Sequence, residues 1–415
     1  MLGNQSKRRL FIWVIMIVLS CTACTKYEGS FMSHTAHITS YHQQKDHQTS
    51  RYKHRSDVRE LAERRKGLKR FKRSETAEHN QMAMEKKSPP LRKDVKGIYL
   101  NKESMKKENI GTYIDLMNDT ELNAVVMDVK DDFGKLTYDS DVEVAEDIQA
   151  DEDRTVQDMK QLIERLKGEG IYTIARIVVF KDPYLAEQKS EWAIREKEGD
   201  IWEDGSGVKW IDPYKSDVWE YVTDVAKEVA AFGFDEIQYD YIRFPENAKE
   251  IDKIVTYDNP ADRSKDENIT RFLKYSNEKL KDIPVRTSAD VFGLVTSSED
   301  DMGIGQVWES VSKAVDYISP MTYPSHYGPG VYGIDSPNDD PYALVKHAMK
   351  DAVERNRKLG EDGATIRPWV QDFSMKKKYT EDEIKAQIKA MKDQGIEQYL
   401  VWNAKNDYTK DAYEK

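Results

Sequence analysis

The stretch Phe234-Asp235-Glu236-Ile237-Gln238-Tyr239-Asp240-Tyr241-Ile242-Arg243-Phe244-Pro245 has the make-up of a short buried strand that ends in a turn. Side chains on a strand point to opposite faces in turn, so Gln238 and Asp240 share one face. Asp240 falls near the C-terminal end of the strand, just before an arginine and a chain-breaking proline. In a parallel α/β barrel that end opens into the reaction mouth. A carboxylate there is costly to desolvate unless a cation or a polar cluster holds it. Asp240 is therefore the first candidate for chemistry.

Outward from that strand, apolar β-rich runs alternate with amphipathic helical stretches, the pattern of βα units. Strands are expected at 95–100, 123–129, 172–178, 236–241, 285–291, 317–322, 366–371 and 398–402. Helices are expected between them, at 153–169, 216–232, 266–281, 306–314, 341–359 and 380–394. Gly170, Gly233 and Gly395 follow three of these helices, where a left-handed residue ends the last turn. Eight such units predict a (β/α)8 TIM barrel over residues 94–415. An open doubly wound sheet is the alternative, but no glycine-rich phosphate loop follows the first strand.

Residues 1–20 read as a lipoprotein signal peptide: Lys7-Arg8-Arg9 precede an apolar run, then Val18-Leu19-Ser20-Cys21. The small Ser20 suits signal peptidase, and the Cys21 thiol is the expected lipidation site, with Cys24 as runner-up. An uncleaved anchor is the competing reading, although the run is short of the ~20 residues that span a bilayer. Residues 21–93 read as a low-complexity basic linker. Within it, 42–93 carries 16 Lys+Arg against 7 Asp+Glu, whereas 94–415 carries 44 against 67. The acidic body argues against nucleic acid as a partner. The expected location is the cell membrane, lipid-anchored and facing the extracytoplasmic side. Both cysteines lie at the N-terminus, so the body has no disulfide, zinc–thiolate site or cysteine nucleophile.

Polar groups collect at the expected strand ends: Asp128 and Lys130, Arg176, Asp240 with Arg243, Asp290, Tyr323 with His326, Gln371 and Trp402. Two carboxylates with aromatic platforms suit glycosidic cleavage, in which one protonates the leaving oxygen and the other attacks or activates water. Asp240 and Asp290 are the candidate catalytic pair, on neighbouring strands about 5 Å apart. Arg243 is expected to hold Asp240 ionised as nucleophile or stabiliser, which leaves Asp290 as the acid. Asp128, Lys130, Arg176, Arg243, Tyr323, His326, Gln371 and Trp402 are the candidate substrate-binding set. No cofactor is expected. Eight histidines without paired spacing give no zinc motif, and no Gly-x-Ser-x-Gly elbow is present.

Four motifs carry a family resemblance: Val95-Lys96-Gly97-Ile98-Tyr99-Leu100; Val125-Val126-Met127-Asp128-Val129-Lys130-Asp131-Asp132-Phe133-Gly134; the stretch quoted first; and Ile318-Ser319-Pro320-Met321-Thr322-Tyr323-Pro324-Ser325-His326-Tyr327. They resemble the glycosyl hydrolase-like domain of bacterial exported proteins. The resemblance implies a TIM barrel related to glycoside hydrolases, without a substrate. In family 18 chitinases the strand-4 signature DGxDxDxE ends in the acid. Here that place falls on Ile242 and the middle Asp on Gln238, so the substrate-assisted mechanism does not carry over. The arrangement looks closer to amylase-like barrels, whose strand-4 Asp is the nucleophile. The expected function is a membrane-tethered glycoside hydrolase acting on a polysaccharide or oligosaccharide. The rivals are a non-catalytic carbohydrate-binding barrel and, third, a carbohydrate lyase or transglycosylase.

Overall fold

A computed structural model describes residues 91–413. The signal-peptide, lipidation and most of the linker expectations lie outside the described residues. Eight parallel strand positions close into a barrel. They are β1 Lys96–Leu100, β2 Ala124–Lys130, β3 Tyr172–Val178, β4 Glu236–Asp240, β5 Arg286–Phe292, β6 Tyr317–Met321, β7 (Thr365–Ile366, then Trp369–Gln371) and β8 Tyr399–Trp402. Closure comes from the pairing of β8 with β1 and of β6 with β7. The open-sheet alternative is thereby excluded.

β7 is broken where one continuous strand was expected. Pro368 has no N–H to give to a ladder, yet the flanking bonds persist. Arg367 N–H donates to the Ile318 carbonyl at 2.9 Å, and Leu400 N–H donates to the Pro368 carbonyl at 2.9 Å. The helices Met159–Gly168, Ser216–Ala231, Lys265–Leu280, Trp308–Ser312, Pro341–Leu359 and Glu381–Lys392 surround the barrel. The first begins later than expected because Asp158 caps it, accepting from Gln161 N–H at 2.9 Å. Gly170, Gly233 and Gly395 all have positive φ. Elements that escaped the sequence reading include the helix Ile110–Asp119, the short helices Glu143–Ile148, Pro183–Gln188 and Ala248–Ile251, and a small antiparallel pair of Arg195–Glu196 with Val255–Thr256.

Two apolar layers hold the fold. The larger packs helices against the outside of the barrel, with Val125, Met127, Ile177, Ile237 and Val401 facing outward. The smaller fills the barrel axis with Val126, Tyr172, Ile174, Trp369 and Leu400. The strands are buried on both faces, which explains their near-continuous apolar runs.

The N-terminal end of the axis is polar. Glu236 and Arg367, both fully buried, form an ion pair, and Tyr172 hydroxyl donates to Glu236 at 3.1 Å. The Arg367 guanidinium lies 4.1 Å from the Tyr317 ring centroid. Arg92 covers this end through reciprocal bonds with the Tyr317 hydroxyl: its N–H donates to the hydroxyl, which donates to its carbonyl. The pair keeps its charge compensated far from the opposite mouth. That mouth is left for chemistry.

Candidate active site

β4 ends at Asp240, and the next residue, Tyr241, has φ of 50°. This left-handed backbone is unfavourable for a bulky side chain. It turns the Tyr241 N–H onto the Asp240 carboxylate, at 2.6 Å from Oδ1. Strain at this one position thus anchors the neighbouring acid.

Asp240 Oδ2 accepts from Arg176 Nε at 2.9 Å and from Nη2 at 2.6 Å. Arg176 comes from β3, where Val178 lies level with Asp240, so its long side chain reaches up to the carboxylate. Its Nη1 donates to Asp128 on β2 at 2.6 Å, and Nη2 also reaches Asp132 at 3.2 Å. Asp128 Oδ2 accepts from the Tyr99 hydroxyl on β1 at 2.5 Å. Tyr99 stacks on Trp402 of β8, with ring centroids 4.1 Å apart. Trp402 meets Trp369 of β7 edge-on at 5.6 Å. Trp369 Nε1 donates to Asp290 Oδ1 on β5 at 2.7 Å. These contacts form a chain of seven side chains, from Asp240 through Arg176, Asp128, Tyr99, Trp402 and Trp369 to Asp290, contributed by seven of the eight strands.

The two candidate catalytic acids have opposite surroundings. Asp240 accepts from a guanidinium and a backbone N–H, which together engage both of its oxygens. Asp290 is 1% exposed and, among the described residues, has no Lys or Arg within ion-pair distance. Burial pushes its pKa well above the usual carboxylate range, and the nearby Asp240 charge pushes it in the same direction. Asp128 rises to about 7, mainly through burial, with the Arg176 charge opposing the rise. One guanidinium therefore serves three acids, Asp128, Asp132 and Asp240.

Several sequence-derived candidates occupy other places. Arg243 was expected beside Asp240, but its guanidinium bonds Phe244 carbonyl and Glu246 and packs against Trp210, Tyr241 and Phe292. The arginine on Asp240 is Arg176, which reaches it across the sheet. Lys130 is fully buried, with Nζ 2.7 Å from Val178 carbonyl and 2.6 Å from Asp182, so it braces the β2–β3 end. Gln371 is also fully buried: Oε1 accepts from Ser325 N–H, and Nε2 donates to Phe373 carbonyl. It joins two loops of the mouth and has no exposed face for a ligand. Tyr323, His326 and Phe373 form an aromatic group at that side, and partial enclosure of the His326 ring lowers its pKa. Asp128, Arg176 and Trp402 do lie in the chain that connects Asp240 to Asp290.

Tyr99, Asp132 and Trp369 were missed. Tyr99 and Trp369 are inward positions on strands that were recognised, so alternation within β1 and β7 was the available signal. Two surface grooves, one around Asn277, Arg286 and Asp316 and one around Tyr214, Lys249 and Tyr257, contain none of these site residues. Among the described residues no group of three or more His, Cys, Asp or Glu side chains is arranged to hold a metal ion. Arg176 stands among the three acids where a cation would otherwise compensate them.

The model of a family described as "Putative glycosyl hydrolase domain" matches residues 97–408. A hypothetical protein from Ruminiclostridium thermocellum ATCC 27405 is 36% identical over 50% of this chain and 98% of its own, with a TM-score of 0.43. The PgaB (BpsB) glycoside hydrolase domain from Bordetella bronchiseptica shares the fold at 13% identity, covering 77% of this chain and 99% of its own, with a TM-score of 0.51. The spore cortex-lytic enzyme SleL of Bacillus megaterium QM B1551 is 11% identical over 79% of this chain and 76% of its own, with a TM-score of 0.45. No curated protein matches the chain.

Proposed function

The chain belongs to this glycosyl hydrolase domain family, and from that membership we propose that it hydrolyses glycosidic bonds with Asp240 and Asp290. The observation that carries the proposal is the contrast between two neighbouring acids: Asp240 is bonded by Arg176 and the Tyr241 N–H, whereas Asp290 is buried with the Trp369 indole as its partner, and burial raises its pKa. Environments that push paired carboxyls apart set acid and base roles. In this reading Asp290 gives its proton to the glycosidic oxygen as the C–O bond breaks, and the leaving sugar departs as an alcohol. Asp240 supplies negative charge to the oxocarbenium-like centre; water then adds to the anomeric carbon and gives its proton back to the Asp290 carboxylate, which restores the acid. Arg176 and Tyr241 N–H position Asp240, and Trp369 positions Asp290.

The pH profile tests the assignment. Burial raises the Asp290 pKa, so the basic limb of kcat/KM should lie at higher pH than an ordinary carboxylic acid would give. Asp290→Asn should abolish this basic limb and cost about a hundredfold or more on substrates with poor leaving groups. An aryl glycoside with a good leaving group should suffer much less. A basic limb that survives in Asp290→Asn would assign the acid elsewhere.

A second reading, a carbohydrate-binding barrel without turnover, draws on the fact that both oxygens of Asp240 are already engaged. Reducing-end release from a polysaccharide panel separates the two, and an unsaturated product would indicate a lyase.

We also propose export and lipid anchoring at Cys21, on the sequence of residues 7–21 alone. Cys21→Ala should move the protein from the membrane fraction to the soluble fraction. Membrane retention with an intact Met1 would instead support an uncleaved anchor. Among the described residues no helix is long and apolar enough to cross a membrane.

A further inference from the structure

Phe133 is 68% exposed, and only Leu91 and Ile254 accompany it as exposed large apolar side chains among the described residues. A single exposed aromatic is ordinary, but the backbone beneath this one is unusually constrained. Asp131 Oδ1 accepts from Phe133 N–H and from Lys135 N–H, each at 3.0 Å. Asp131 N–H donates to Lys135 carbonyl at 2.9 Å, which closes the turn. Gly134 has φ of 81°, and a Cβ there would come within 1.9 Å of Asp182 Oδ1. The turn therefore rests directly on the Asp182 carboxylate that pairs with Lys130. On the other side of Phe133, Asp132 reaches Arg176, which holds Asp240. The ring thus stands on a fixed turn, one residue from a side chain bonded to the reaction centre.

We propose that Phe133 is the platform of a sugar subsite at the barrel mouth, stacking on one pyranose ring of a bound glycan chain. This rests on the reading of the barrel as a glycoside hydrolase and extends it to the substrate class, a chain of several sugars. The apolar C–H face of a pyranose matches the negative face of an aromatic ring. Asp132, whose side chain is 35% exposed, adds a carboxylate that can accept sugar hydroxyls beside the ring. A rigid support means that little conformational entropy is lost on binding.

The test is affinity electrophoresis of the full-length Asp240→Asn protein through gels containing soluble chitin derivatives, xylan, cellulose derivatives or solubilised cell-wall glycan. At least one gel should retard it. Adding Phe133→Ala should weaken that binding about tenfold, while Phe133→Tyr should preserve it and neither change should alter the melting temperature. Equal retardation with Phe133→Ala, or no retardation in any gel, overturns the subsite. The two claims can fail separately. If wild type releases reducing ends but Phe133→Ala binds normally, the subsite fails and the hydrolase reading stands. If binding depends on Phe133 but wild type releases no reducing ends, the subsite stands and the hydrolase reading fails.

Discussion

Asp240→Asn should leave the barrel folded and reduce glycan hydrolysis on the order of a thousandfold or more. The amide keeps the shape of the side chain, and its oxygen can still accept from Arg176, although its NH2 then faces the Tyr241 N–H that Oδ1 served. What disappears is the negative charge facing an oxocarbenium-like transition state, which a neutral amide cannot replace. Arg176 keeps Asp128 and Asp132 as partners, so oligosaccharide binding should persist while kcat collapses. Initial rates of reducing-end release, read beside a thermal melt, check both halves of this expectation. A variant that turns substrate over at the wild-type rate would remove Asp240 from the chemistry.

Arg176→Met should be the most damaging single change to stability near the mouth. The Arg176 guanidinium is buried and pairs with Asp128, Asp132 and Asp240. Methionine approximates its length, but it leaves at least two buried carboxyls without a cation. Breaking a buried pair by removing one partner typically costs about 3–5 kcal/mol. The pH dependence has a definite sign. Asp128 titrates at about 7 in the folded protein, above its ordinary value of 3.8. The native state therefore holds a proton that the unfolded chain has released, and this group's contribution to stability falls as pH rises from about 4 to 7. Without Arg176 the acids are harder to ionise, so the loss should be larger at pH 8 than at pH 5. Urea unfolding at the two pH values measures it. Adding Asp128→Asn to Arg176→Met should recover part of the loss, because one uncompensated charge is gone.

The barrel was legible because its strands are short apolar runs separated by amphipathic helices, a rhythm carried by local sequence. The position of Asp240 was legible for the same reason, since alternation and Pro245 mark the face and the end of β4. The partner of Asp240 was not. Arg243, three residues away in sequence, is the cation that local spacing offers, whereas Arg176 is brought there by sheet register, which no local pattern encodes. Lys130 and Gln371 were chosen as polar residues at strand ends. Whether such a group faces a ligand or ties two loops together depends on what packs above it. The break in β7 was visible as Pro368, yet its consequence depends on neighbours that continue the bonding around it. The left-handed Tyr241 had no sequence signal, because glycine or asparagine is what that conformation ordinarily selects.

The central claim is that the acids of β4 and β5 work on opposite sides of one glycosidic bond. A crystal structure of the Asp240→Asn protein with an oligosaccharide substrate tests it most directly. The account predicts a sugar spanning the mouth, with the glycosidic oxygen within about 3 Å of the Asp290 carboxyl and the anomeric carbon facing the side chain at position 240. A glycan bound productively elsewhere, with neither side chain near its scissile bond, would contradict it.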